Sequence, residues 1–269
     1  MSTSTAPQSE SQYSLVQILG IWIAAALPMA ILGWVVAPAL APDSTSNPIG
    51  AGAIRVGALS VGLIWQFVLA MIIIYREEGN LCWATIRRRG RLNTTRDPKT
   101  GKPRHRLLLW LIPISILFAA LTFFIFPMLD RLWVGVLPFF AEPPSFAFGA
   151  LLESPEIQAQ LVGAWWFLGL FLIMGVFNTF LGEEFLFRGV LLPKMNGRFG
   201  KWDWVANGVL FGAYHWHQPW MILSGIIMGI FLFALPAKLF RSTWMAIIAH
   251  SIQTVVFLFL ILGVVLGLT

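Results

Sequence analysis

Apolar residues run through this chain in long unbroken blocks, with neither the alternation of a half-buried strand nor the stripe of a surface helix. Leu15 to Leu40 is apolar with only Pro28 and Pro38 intervening, and Val56 to Tyr75, Leu107 to Leu129 and Leu161 to Gly182 follow. Each approaches or exceeds the roughly 20 residues a helix needs to cross a bilayer core, and membrane helices tolerate proline. Beyond Asp203 come two shorter runs, Trp204 to Trp216 and Trp220 to Leu235, hinged at His217, Gln218 and Pro219, and then Thr243 to Leu268. The pattern predicts an all-α, polytopic integral membrane helical bundle of about seven transmembrane helices. The fifth is the shortest, since about 13 helical residues cover only about 20 Å.

Composition agrees with lipid as the main solvent. Charged residues are 11% where a soluble domain has roughly a quarter, and 58% of residues are hydrophobic, with 22 Phe and 13 Trp. Residues 1–14 are polar and hold no Lys or Arg, so they lack the basic start of a secretory signal and are expected to be a disordered tail. A single cysteine excludes a disulfide framework or cysteine-rich zinc module.

Between Arg76 and Arg106 lie ten Lys or Arg residues against three acids. Positive residues stay on the cytoplasmic side, which places this loop inside. With seven spans, the N-terminus is then cytoplasmic, the C-terminus outside, and sixteen of the eighteen basic residues inside, leaving Arg55 and Arg131 in outer loops. The expected location is the plasma (inner) membrane. The net charge of +6 is thereby a topology signal, with a share for anionic headgroups and none for nucleic acid. Organisation follows as a tail 1–14, N-terminal membrane helices 15–160 with the basic loop 76–106, and a C-terminal core 161–269.

Ionisable residues inside a bilayer cost several kcal/mol, so each needs a partner or a task. Glu183 and Glu184 sit nine or ten residues, about 14 Å, from the expected inner end of their span at Pro193. His215 is twelve residues beyond Asp203, about 18 Å in, and His250 nine beyond Arg241, about 13 Å in. Three segments thus bring Glu, His and His to similar depth. A desolvated carboxylate beside a neutral imidazole can activate water. Arg188, four residues after Glu184, can pair with it and leave Glu183 free as a base. Gln253 and Thr254, one turn past His250, offer donors to an oxyanion. Taken singly, the Glu184–Arg188 pair reads equally as a structural ion pair, and each histidine as an interhelical hydrogen bonder. Tyr214 and Asn207 are expected to be such bonders, His217 a water-facing hinge residue, His105 a solvated loop residue, and Gly225 with Gly229 a close-packing pair. All four aspartates, Asp43, Asp97, Asp130 and Asp203, fall outside the expected spans, and Ser224-Gly225 lacks the glycine that precedes a GxSG serine.

In order, Glu183-Glu184-x-x-x-Arg188, then Phe211-x-x-x-His215, then His250 resembles the CPBP family of intramembrane proteases, which includes CAAX prenyl endopeptidases and bacteriocin-immunity (abortive-infection-like) proteins. The similarity covers about residues 160–269 and implies an intramembrane endopeptidase. In it Glu183 is general base, His215 its partner in orienting water, and His250 part of the oxyanion site, with Glu184 and Arg188 completing the first motif. The family's usual Asn or Asp four residues after the last histidine is here Thr254, with Gln253 beside it. The resemblance implies a peptide or protein substrate carrying a membrane anchor, prenylated or not. No cofactor is expected; Glu183, His215 and His250 would be the ligands if zinc were used. The competing reading is a non-catalytic immunity or scaffold protein, or a proton-coupled transporter using the same Glu, His and Arg set as a relay.

Overall fold

The computed structural model describes residues 11–41, 46–147 and 152–268. Six helices are long and apolar enough to cross a membrane: α1 (Leu15–Leu40), α2 (Pro48–Glu78), α4 (His105–Val136), α6 (Trp165–Lys194), α8 (Pro219–Leu239) and α9 (Trp244–Leu266). Shorter helices are α3 (Trp83–Arg89), α5 (Pro155–Leu161) and α7 (Asp203–Ala213). No strand is present among the described residues, only an isolated bridge between Arg96 and Pro103. The bundle is therefore all-α, as expected, and six of the about seven expected spans are single helices of that length and hydropathy. The fifth expected span is α7, whose 11 residues reach only about 16 Å.

From the basic face, where Lys238 meets Asp203, α7 and the turn 214–218 carry the chain to the opposite face, and α7 lies antiparallel against α8. Gly208 and Gly212 make this possible, because a Cβ on either would come within 2.6 Å of the Ile230 or Ile226 backbone. From the other side, Gly229 faces the Gly208 carbonyl and Gly225 the Gly212 Cα, the close packing that small residues four apart allow.

Helix ends sort onto two faces. On one, Tyr13 N–H donates to the Lys194 carbonyl, Arg96 N–H to Phe240 and Thr243 N–H to Arg91. Most of the basic residues gather there. On the opposite face Gly163 N–H donates to Val265, and Trp34 and Trp133 indoles donate to the carbonyls of Trp216 and Pro219. Exposed tryptophans ring both levels, with Trp83, Trp110 and Trp202 on the basic face and Trp34, Trp165 and Trp216 opposite, as interfacial belts do.

Residues 1–10 of the expected tail lie outside the described residues. Its end is fastened to the basic face: Tyr13 is buried with its hydroxyl on Glu77, and Ser14 and Gln17 cap α1 reciprocally. Two boundaries shift relative to the sequence reading. Helix α2 begins at Pro48, capped by Asn47, so Arg55 is buried two turns inside it and does not sit in a loop. Helix α4 continues to Val136, so Asp130 lies within a span and half-buried, where its Oδ2 accepts from Ser224 Oγ at 3.1 Å. Expected outer-loop residues 148–151 lie outside the described residues, and Glu156 begins α5.

Several spans contain wide i→i+5 turns: 32–36 in α1, 121–125 in α4, 177–182 and 185–191 in α6, and 229–234 in α8. Such turns, like proline, release carbonyls that lipid cannot satisfy, so side chains must. Pro28 has no N–H for the Ala24 carbonyl, and the Trp65 indole donates to it at 2.8 Å. The carbonyls of Gly33 and Gly229, both within wide turns, accept from Arg55 and Arg188.

Candidate active site

Glu183 and Glu184 stand between the two wide turns of α6, where the span winds most irregularly. Both are buried, at 2% and 0% exposure. Gly182 lets this segment lie against α2, since a Cβ there would be 2.8 Å from the Leu63 carbonyl and 2.4 Å from that of Phe177.

Glu184 is held. Its Oε1 accepts from Arg188 Nη1 at 3.2 Å and pairs with His250 Nδ1 at 3.0 Å. Arg188 is itself buried, donates to the Gly229 carbonyl, and lies with its guanidinium carbon 3.9 Å from the Phe211 ring centroid. A desolvated cation is thus spread over a carboxylate, a carbonyl and an aromatic face. Glu183 is held differently. Its Oε1 accepts from the Tyr214 hydroxyl at 2.9 Å, Tyr214 in turn accepts from Gln66 Nε2 at 2.9 Å, and Glu183 Oε2 lies 4.0 Å from His250 Nδ1.

His215 lies two residues past the end of α7, in the turn. Its Nδ1 is 2.9 Å from the Phe211 carbonyl. A carbonyl only accepts, so Nδ1 carries the proton and Nε2 keeps its lone pair. Phe211 thereby joins the site from three sides: its carbonyl fixes the His215 tautomer, its face carries Arg188, and its ring meets His215 edge-on at 5.0 Å. His250 stacks on Phe233 with centroids 4.6 Å apart, and its Nδ1 contact leaves Nε2 as the nitrogen free for other partners.

A cavity of about 280 Å³ joins these groups, lined by Glu183, His215, His250, Gln253 and Thr254. Its apolar walls come from α1, α2, α6, α8 and α9 and include Met29, Leu63, Met174, Met228 and Leu258. Glu184 and Arg188 do not line it; they form a buried layer behind His250. Of the seven residues singled out in the sequence, five therefore share one cavity and two support it. Among the described residues Glu183 takes its hydrogen bond from Tyr214 and not from His215.

Two cavity residues escaped the sequence reading. His217, expected to face water, is buried at 4% exposure, lines the cavity, and stacks on His215 with centroids 5.4 Å apart. Asn178 lines it too, five residues before Glu183, a spacing that an ordinary helix turns to another side and the wide turn 177–182 brings round. Tyr214 bridges helices as expected, its hydroxyl accepting from Gln66 of α2 and donating to Glu183 of α6. Asn207 bridges too, donating to the Phe187 carbonyl. Ser224 bonds Asp130 and the Met221 carbonyl, which leaves it outside this cluster.

No three His, Cys, Asp or Glu side chains among the described residues are gathered as they would be around a metal ion. In the Glu183, His215 and His250 set, Glu183 Oε1 and the Nδ1 atoms of both histidines have partners, which leaves Glu183 Oε2 and the two Nε2 atoms as those that would face an ion.

Residues 164–256 match the family model for the type II CAAX prenyl endopeptidase Rce1-like proteins. The C-terminal part of the chain carries a Rce1-like domain. No curated protein and no solved structure matches the chain significantly. The family indicates a protease of the CAAX type, acting within the bilayer. Glu183, Glu184, Arg188, His215, His250, Gln253 and Thr254 all fall inside the Rce1-like domain, whereas Arg55 and Gln66 precede it by about a hundred residues.

Proposed function

We propose that the protein is an intramembrane endopeptidase that hydrolyses a peptide bond near the membrane anchor, prenyl or otherwise, of a protein substrate, with Glu183 as general base. The observation that carries this reading is a buried glutamate, aimed by Tyr214 into an apolar-walled cavity it shares with His215, His250 and an exposed amide. Water between Glu183 and His215 loses its proton to Glu183 as its oxygen attacks the scissile carbonyl. Glu183 then returns that proton to the departing amine as the C–N bond breaks, which leaves the products neutral and regenerates the Glu183 carboxylate. His250, with Gln253 and Thr254 one turn on, supplies donors to the tetrahedral oxyanion. Glu184 and Arg188 hold His250 in place from behind. The aliphatic and methionine walls suit the apolar anchor.

Among the described residues the hydrogen-bonded branch through Tyr214 ends at the buried Gln66, which favours a reaction chamber over a relay to the basic face. The mechanism uses no metal. The positive-residue rule supports a cytoplasmic basic face and N-terminus, and the plasma membrane is the proposed location.

Comparison of membrane-protein termini between cells carrying the wild type and Glu183→Gln tests the reading. New N-termini close to a membrane anchor, present only with the wild type, are expected. Their persistence with well-folded Glu183→Gln overturns it. Chelation is expected to leave cleavage unchanged, and activity lost to a chelator and restored by zinc alone would overturn the metal-free mechanism.

A further inference from the structure

The turn 214–218 carries His215 and Tyr214, yet it is irregular backbone within the bundle, where no helix holds it in place. What fixes it includes side chains outside the Rce1-like domain: the Trp34 indole of α1 donates to the Trp216 carbonyl, and two residues of α2 take the positions on either side. Arg55 is buried and forks to two carbonyls, donating to His217 at 2.9 Å and to Gly33 at 2.8 Å, with its guanidinium 3.5 Å from the Phe146 ring centroid. Gln66 is fully buried and donates to the Tyr214 hydroxyl, which donates to Glu183. The two residues are eleven apart, three helical turns within about 20° of rotation, so both lie on the face of α2 that Leu59 and Leu63 also bury.

We infer that α2 is a positioning helix of the active site: Arg55 and Gln66 clamp the turn at its two ends, Gln66 setting the Tyr214 hydroxyl that orients Glu183 and Arg55 holding the backbone that presents His215. The inference rests on the protease reading of this site. Neither residue reaches the cavity, so both act through others. A group that works only through Tyr214 has a distinctive kinetic signature: once the Tyr214 hydroxyl is gone, removing Gln66 changes nothing more.

The test measures kcat and KM in proteoliposomes on the bond found by the comparison of termini, for Gln66→Met, Tyr214→Phe, their double variant and Arg55→Lys. Val68→Ala, on the lipid-exposed side of α2, is the control. Gln66→Met and Tyr214→Phe are each expected to lower kcat about tenfold with KM changed less than about twofold. The double variant should be no slower than Tyr214→Phe alone. Arg55→Lys, which keeps the charge and loses the fork, should lower kcat about three- to tenfold. Gln66→Asn, polar but too short to reach Tyr214, carries the same cycle should Gln66→Met not fold. An unchanged kcat in the Gln66 variant, or independent multiplication of the two losses, overturns the inner clamp; an unchanged kcat in Arg55→Lys overturns the outer one. If Glu183→Gln cleaves normally, or no Glu183-dependent cleavage exists, the protease reading falls and takes the clamp with it. If Glu183→Gln is inactive and the clamp variants are normal, the clamp alone is wrong.

Discussion

Two clusters in this molecule use nearly the same ingredients. At the basic face, Glu77 accepts from the Tyr13 hydroxyl and from Arg89, with Lys194 at 3.9 Å, while Glu78 takes a bidentate contact from Arg88 at 2.6 and 3.3 Å. Inside the bundle, Glu183 accepts from the Tyr214 hydroxyl, and Glu184 from Arg188 and His250. Each cluster thus has two adjacent glutamates, a tyrosine and arginine. They differ in how completely they are satisfied. Both Glu77 oxygens are engaged and the site is partly exposed, whereas Glu184 Oε2 and Arg188 Nε have no hydrogen-bond partner among the described residues, and Glu183 opens onto a cavity. A saturated cluster joins chain segments; an unsaturated one at depth holds carboxylates ready to exchange protons and partners.

The same substitution at both clusters is the strongest way to break this comparison. Glu183→Gln is expected to lower cleavage by about 10²–10⁴-fold, the usual worth of a general base, with thermal unfolding unchanged or raised because a desolvated carboxylate is gone. Cleavage within about tenfold of wild type would erase the distinction. Next in size is Arg188→Met. Its removal takes the guanidinium from buried Glu184 and leaves it the His250 contact alone, and losing one partner of a buried ion pair costs about 3–5 kcal/mol. Unfolding in detergent should reveal that loss; a value near zero would mean that Glu184 has another way to be neutralised.

The two clusters also differ in how readable they were. The spans are legible because lipid forces long apolar runs, so α1, α6 and α9 stand nearly where the pattern places them. Glu183, Glu184, Arg188, His215 and His250 stand out as charges or imidazoles at depth. What misled was backbone, not composition. Helix α7 ends at Ala213, three residues before its apolar run does, and glycines 208 and 212 lay it against α8, an effect of three-dimensional contact and not of local pattern. His217 reads as a water-facing hinge by the habit of soluble proteins, but a turn inside a membrane must be buried in protein or line a cavity. Asn178 is off-register for a 3.6-residue helix and aligned only by the wide turn. Arg55 and Asp130 lie beyond their apolar runs, on helices that continue because carbonyls, a ring or a hydroxyl accept them. At the basic face Glu77 and Arg89 are visible as charges, but nothing in residues 1–14 indicates that Tyr13 would meet them.

Smaller effects then test the basic-face cluster as a staple. Glu77→Gln should leave cleavage within about twofold and lower stability by about 1.5–3 kcal/mol, the range for hydrogen bonds to a charged group. Loss of cleavage at intact stability would make this second cluster functional too, and the comparison would fail from the other side.

The smallest expected effect belongs to Tyr13→Phe. Burial, and then the neighbouring Glu77, raise the Tyr13 phenol above its ordinary range, so the hydroxyl stays protonated and donates throughout neutral pH. A folded-state value above the unfolded one means that the folded chain keeps its proton longer. The contact's contribution is therefore fully present below about pH 10, where a free phenol ionises, and declines as pH rises beyond it. Tyr13→Phe removes the hydroxyl and keeps the ring, so it should cost about 1 kcal/mol at pH 7 and abolish the extra loss of stability that the wild type suffers above pH 10. Thermal unfolding of both forms in detergent between pH 7 and 11 measures it. Parallel curves for the two forms would show that the hydroxyl contributes nothing and that Tyr13 is held by its ring against Lys194 and the end of α6. A staple predicts converging curves, because alkali removes from the wild type what the substitution has already removed.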